Sequence, residues 1–161
     1  MNFIRNRNFR AGPQTSLEGF ICPQNSDKQQ KIKVFGRSGG VKIEAPHNTF
    51  IGEGVIFDSL YPENIILHKH VHITMRCVIL THYLDTSCDG VHFKKGKVEL
   101  CDNCFIGANT LICNSVRIGR NSIVGAGSVV TKDIPDYSIA VGNPCKVIKI
   151  FDFEKGDWVK V

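Results

Sequence analysis

From Leu100 onward every sixth residue is a branched aliphatic: Leu100, Ile106, Ile112, Ile118, Val124 and Val130. No helix satisfies that spacing, because six helical residues turn through roughly 600° and leave successive apolar positions about 240° apart. Six extended residues return a side chain to the same face, so the repeat is built from strands. Composition agrees: the 161 residues hold 18 Ile and 15 Val against 7 Leu and 5 Ala. The apolar content thus comes chiefly from residues whose branched Cβ favours extended chain. A helical bundle is excluded, and the length suits a single domain.

Two residues before each aliphatic stand Val98, Cys104, Thr110, Val116, Ser122 and Ser128. Period-two alternation points them inward as well, so each six-residue unit offers one large and one small inward position. Gly107, Gly119 and Gly125 follow the aliphatics, with Asp102, Asn103, Asn109 and Asn121 close by; these residue types tolerate turns. Short strands separated by corners result. Stacked as rungs, they pair their amides with the rungs above and below and bury an apolar column that no single unit could bury. A parallel β-helix is predicted.

Two further runs carry the pattern in shifted phase, Ile51 with Phe57, then Leu67, Ile73 and Ile79 preceded by Ile65, Val71 and Cys77. The ten residues from Phe57 to Leu67 imply about four extra residues around 58–62, and the 21 from Ile79 to Leu100 imply a long excursion. Loops of that kind in a compact repeat usually carry function. The predicted organisation is a non-repeat segment over 1–40, a β-helix over 41–150 with an extruded loop at about 81–97, and a terminal strand or hairpin over 151–161. Residues 31–35 alternate and 36–40 read as a turn, while 147–153 and 158–161 flank a turn at 154–157.

The net charge is +5 and the isoelectric point about 8.9. Basic residues are dispersed apart from Arg5, Arg7 and Arg10, so a nucleic-acid partner is not expected. No apolar run approaches the roughly 18–20 residues of a membrane span, and residues 1–8 lack a signal-peptide core. A cytoplasmic protein is expected. Seven cysteines without an export signal read as reduced thiols.

The stretches Phe-Ile-Gly-Ala-Asn at 105–109, Ile-Gly-Arg-Asn-Ser-Ile-Val-Gly-Ala-Gly-Ser-Val-Val-Thr-Lys-Asp-Ile-Pro at 118–135 and Val-Gly-Asn-Pro-Cys-Lys-Val-Ile at 141–148 resemble the hexapeptide-repeat acetyltransferases. Galactoside and maltose acetyltransferases and the O-acetyltransferases of surface polysaccharides are the nearest in kind, over about residues 49–150. The resemblance implies an all-β, left-handed parallel β-helix that assembles as a homotrimer with active sites between subunits. It also implies acetyl transfer from acetyl-coenzyme A to a sugar hydroxyl by one histidine near the start of the extruded loop, here His82. The family's donor positions map to Phe105, Ala126, Thr131, Lys132, Lys146 and Lys149, and Ala108 matches a position beside the thioester. This chain departs from the family in having Phe105 for a common Trp and Lys146 and Lys149 for common Arg, which keeps the charge and loses the bidentate fork.

A hydroxyl is a poor nucleophile at neutral pH and needs a base within hydrogen-bonding reach, a task that neutral imidazole suits. Backbone amides at glycine or alanine corners can stabilise the oxyanion. A carboxylate would place the sugar or orient the ring; Asp58 and Asp85 are the candidates, with Asp58 favoured because the family draws such a residue from the preceding coil. His68, His70 and His72 alternate but fall at a corner and beside an inward residue, and Cys101 and Cys104 fit the hexad register as structural thiols, so no metal site is expected. Three other functions compete with O-acetylation: N-acetylation of a nucleotide-linked amino sugar, a zinc hydratase resembling the gamma-class carbonic anhydrases, and a non-catalytic scaffold. The hydratase is disfavoured because no histidine follows His92.

Overall fold

The computed structural model describes residues 49–161 in full and the backbone of Phe20–Ile21, Gln30–Gly36 and Gly39–Ala45. Arg5, Arg7, Arg10 and the turn at 37–38 lie outside the described residues. The strands form three stacked parallel faces. The first stacks Phe50–Ile51, His72–Ile73, Phe105–Ile106, Ile123–Val124 and Ser138–Val141. The second stacks Ile56–Phe57, Val78–Ile79, Leu111–Ile112 and Val129–Val130. The third stacks Ile65–Leu67, Val98–Leu100 and Val116–Ile118, and a bridge from Ile118 to Ile134 extends it. The chain visits the faces in that order and returns one rung on, which makes a three-faced parallel β-helix.

Register explains the phase breaks. Ile106 lies opposite Val124, Ile112 opposite Val130 and Leu100 opposite Ile118, so a regular coil is three hexads. Ile51 pairs with Ile73 and Ile73 with Ile106, which leaves four and fifteen extra residues in the first two coils. Both excursions leave at the same corner, where the second face gives way to the third, after Phe57 and after Ile79. The last coil is two residues short, since Val124 pairs with Ala140 and Ile118 with Ile134.

The aliphatics of the hexad form one buried column from Ile51 to Val130, continued by Ile134 and Ala140. Each fully buried Ile or Val contributes about 1.5–3 kcal/mol by leaving water. The small inward slots admit hydroxyls because these have partners: Thr110 donates to the Gly107 carbonyl at 2.6 Å, Ser128 to Gly125 at 2.6 Å and Ser138 to Pro135 at 2.7 Å. A buried hydroxyl without such a bond would cost about 1–3 kcal/mol. Coils touch at the corners, where a Cβ on Gly107 would come within 2.8 Å of Ala126 Cα and of the Gly125 carbonyl carbon. Asn103, Asn109 and Asn121 take left-handed φ of 53–58° there, as residues tolerant of that region do.

The exposed amides at each end of the first face are covered. Phe20–Ile21 pairs antiparallel with Phe50–Ile51, and Lys146–Asp152 pairs antiparallel with Ser138–Val141 and then with Asp157–Lys160. This closing hairpin begins one residue before the expected 147–153 segment and its turn takes 153–156. Gln30–Gly36 and Gly39–Ala45 form a separate antiparallel pair, the latter lying against Pro62–Asn64 and Ile65–Leu67. Outward residues differ by face: Ile56, Val78, Leu111 and Val129 make the second face apolar, whereas Ile66, Glu99 and Arg117 alternate character on the third. No helix among the described residues is long and apolar enough to cross a membrane.

Candidate active site

Because the two excursions leave from stacked coils at one corner, the first residue of one faces the first residues of the other. The Asp58 amide still follows the ladder, donating to the Ile79 carbonyl at 2.8 Å, and its side chain turns in and is 3% exposed. Four donors converge on that carboxylate. Oδ1 accepts from Leu60 N at 2.8 Å; Oδ2 accepts from Thr81 N at 2.7 Å, from the Thr81 hydroxyl at 2.8 Å and from His82 Nδ1 at 2.6 Å. Burial pushes the Asp58 carboxyl up, but the bonds from Leu60, His82 and Thr81 outweigh it and hold the group below the ordinary carboxylate range. An ionised carboxylate only accepts, so His82 Nδ1 carries a proton, and in the neutral ring the lone pair then lies on Nε2. That is the tautomer a general base needs.

The imidazole is held on a second side. His82–Leu84 and Phe93–Lys95 form the antiparallel base of the extruded loop, and the Phe93 ring meets His82 edge to face with centroids 5.5 Å apart. Tyr61, on the shorter excursion, offers its carbonyl 2.9 Å from the Thr81 hydroxyl and its ring 4.3 Å below the Lys95 ammonium. Sequence reasoning did not single out Thr81, Tyr61, Phe93 or Lys95. Only the adjacency of Thr81 to His82 could have signalled the first.

Asp85 does not reach the imidazole. It accepts from Lys94 at 2.8 Å and from the Ser87 amide and hydroxyl at 2.9 and 2.6 Å, and these partners hold its carboxyl down at about 2. It serves the loop. His68, His70 and His72 do not converge either: His68 Nε2 bonds Glu99 at 2.9 Å, while His72 stacks on Phe50 with its Nδ1 3.1 Å from the His70 carbonyl. His68, Glu99 and Cys101 place possible ligand atoms within 4.8 Å of one another. Glu99 is however also engaged by Lys97 at 3.2 Å, and burial pushes the Cys101 thiol up, so the trio reads as a hydrogen-bonded carboxylate beside an inert thiol. Cys104 lies deeper still, its thiol raised to about 12 by burial.

The expected donor residues occupy two edges. Ala108 and Ala126 follow stacked glycines at the corner between the first and second faces, with Phe105 half exposed on the adjoining strand. Thr131 and Lys132 lie at the corner that carries Asp58 three coils earlier and His82 two coils earlier, and Lys146 and Lys149 lie on the closing strand. One chain therefore separates the alanine edge from the histidine edge by the width of the apolar second face, six residues or at most about 20 Å.

Comparison with known proteins bears on this geometry. Residues 97–132 match the family described as bacterial transferase hexapeptide (six repeats). A provisionally named acetyltransferase of Staphylococcus aureus (strain MRSA252) is 35% identical over 121 residues, 61% of each chain. The chain thus spans about three fifths of that relative's length. Among solved structures, a hexapeptide-repeat acetyltransferase of Vibrio cholerae O1 biovar eltor complexed with acetyl-coenzyme A superposes with a TM-score of 0.60 at 26% identity, over 67% of this chain and 59% of that one. A maltose O-acetyltransferase of Clostridium difficile 630 gives 0.53 at 30% identity, over 61% and 64%. Residues 97–132 thus carry the bacterial transferase hexapeptide repeat, and in fold the chain is similar to hexapeptide-repeat acetyltransferases.

Proposed function

We propose that the chain is an acetyl-coenzyme A dependent O-acetyltransferase acting on a sugar hydroxyl, with His82 as general base and Asp58 as the residue that orients it. The observation that carries this reading is the 2.6 Å bond between His82 Nδ1 and a buried carboxylate at the root of the extruded loop. Relatives support the chemistry, since the similar solved structures include one complexed with acetyl-coenzyme A and one named a maltose O-acetyltransferase.

His82 Nε2 takes the acceptor hydroxyl's proton as its oxygen attacks the thioester carbonyl. The resulting oxyanion meets a backbone amide at the Ala108 corner, where closely stacked glycines let a ligand approach the chain. As the intermediate collapses, the carbon–sulfur bond breaks and the imidazolium returns its proton to the thiolate. Asp58 keeps the positive ring in place and stabilises it between these steps. Phe105, Ala126, Thr131, Lys132, Lys146 and Lys149 are the residues that would hold the donor, the lysines answering its phosphates.

The separation of the two edges argues for a homotrimer. A second copy laid against the apolar second face of the first brings its alanine edge to the first copy's histidine edge, which completes a site that neither chain holds alone. Such an enzyme works where acetyl-coenzyme A is made, in the cytoplasm. The test is transfer of acetyl to a panel of sugars, with products identified by mass spectrometry, by the native chain and by His82→Ala. The variant is expected to lose at least about 100-fold in kcat; equal rates in the two proteins would remove His82 from the mechanism. Acetylated amino groups in place of esters would favour N-acetylation.

A further inference from the structure

We infer that Lys95 selects an acceptor that carries a negative charge, a carboxylate on the sugar or a phosphate joined to it, beside the hydroxyl to be acetylated. This rests on acetyl transfer at His82. Lys95 lies directly opposite His82 in the antiparallel pair at the loop's base, so their side chains leave the same face with Cβ atoms about 4.5–5.5 Å apart. The ammonium is held 4.3 Å from the centroid of the Tyr61 ring, and the Tyr61 carbonyl in turn meets the Thr81 hydroxyl that bonds Asp58. An exposed lysine is thereby fixed at the mouth of the site.

Among the described residues its charge meets the Tyr61 ring and no carboxylate. The neighbouring cations are spent, Lys94 on Asp85 at 2.8 Å and Lys97 on Glu99 at 3.2 Å, whereas among the described residues Lys95 forms no ion pair. The Asp58 carboxylate does not answer it, being committed to Leu60, Thr81 and His82. Lys95 lines an open groove of about 420 Å³ with Glu63, Asn64, Ile66, Lys97 and Ser115. Asn64 and Ser115 offer neutral partners for hydroxyls, Ile66 an apolar floor, and Glu63 a carboxylate that does not pair with Lys95. During attack the imidazole becomes positive next to this ammonium. An anion on the acceptor relieves that repulsion and places the adjacent hydroxyl at Nε2.

The test compares kcat/KM of the full chain with acetyl-coenzyme A for methyl glucoside, the matching glucuronide and glucose 1-phosphate, by thiol release with product mass spectrometry. At least one acidic acceptor is expected to exceed the neutral one about tenfold, and which one identifies the carboxylate or the phosphate. In Lys95→Gln the ratio falls towards one, and Lys95→Arg restores most of it. A native ratio of one or less, or a preference that Lys95→Gln retains, overturns the inference while leaving acetyl transfer intact. Transfer to none of the three by protein that binds acetyl-coenzyme A would count against acetyl transfer to sugars as well.

Discussion

Replacing Asp58 by Asn probes the site with the smallest change in shape. The carboxylate accepts four hydrogen bonds, three of them on Oδ2. An amide has one accepting oxygen, so its best orientation keeps the three at Oδ2 and turns NH2 towards Leu60 N, leaving a donor against a donor. That unmade bond costs stability of about 1–3 kcal/mol. The loss in rate has a different origin. In the proposed mechanism the carboxylate stabilises the imidazolium formed during attack, and two unit charges about 4 Å apart attract by roughly 4 kcal/mol at an effective dielectric of about 20. His82 is partly open to solvent, so about 2–4 kcal/mol is expected, roughly 30- to 1,000-fold in kcat. Steady-state thiol release measures it, and the KM for acetyl-coenzyme A should move less than about threefold, since the change removes uniform binding of neither substrate. Stability gives an independent reading. The folded-state carboxyl lies below its unfolded value, so its contribution is present above about pH 4 and is lost as pH falls through the folded value. The gap in Tm between native chain and variant should therefore narrow from pH 6 to pH 3. A variant with kcat within threefold of native, or a gap that widens in acid, would refute the role given to Asp58.

Gly107→Ala drives a Cβ to within 2.8 Å of the next coil's backbone, which cannot yield as a side chain can, and should cost about 1–3 kcal/mol in denaturant unfolding; no change would mean that the corners are looser than described. Leu111→Asp sets a charge in the middle of the apolar second face, between Val78 and Val129. It should shift the mass measured by light scattering from trimer towards monomer and reduce activity with it, and a fully active monomer would show that a single chain completes the site.

The hexad was legible because each rung repeats one physical requirement, a large and a small inward side chain followed by a corner. The phase breaks placed both excursions for the same reason, since register is conserved across an insertion even when its contents are not. The short last coil escaped, because Ile134 stands four residues after Val130 and a fixed period cannot follow a two-residue loss. Asp58 and His82 could be named from position and family pattern, but not the way they meet, which depends on two loops folding back from neighbouring rungs. Thr81, Tyr61 and Lys95 were silent for a related reason: their roles are contacts across 20 to 34 positions of chain, between residues that no local pattern distinguishes from ordinary loop polarity. Asp85 illustrates the converse, a carboxylate near the histidine in sequence that the loop keeps for itself.

The two departures from the hexad share a corner, and this divides the molecule into parts that can change separately. The rungs fix where a donor could lie, through spacings that a single added methyl would disturb. On the proposed mechanism, the acceptor's surroundings hang from that corner as two removable appendages whose lengths, four and fifteen residues, leave the register of every later coil untouched. New acceptors can therefore be accommodated by exchanging those appendages alone, provided that the exchange keeps an anion on the shorter one and an imidazole at the root of the longer.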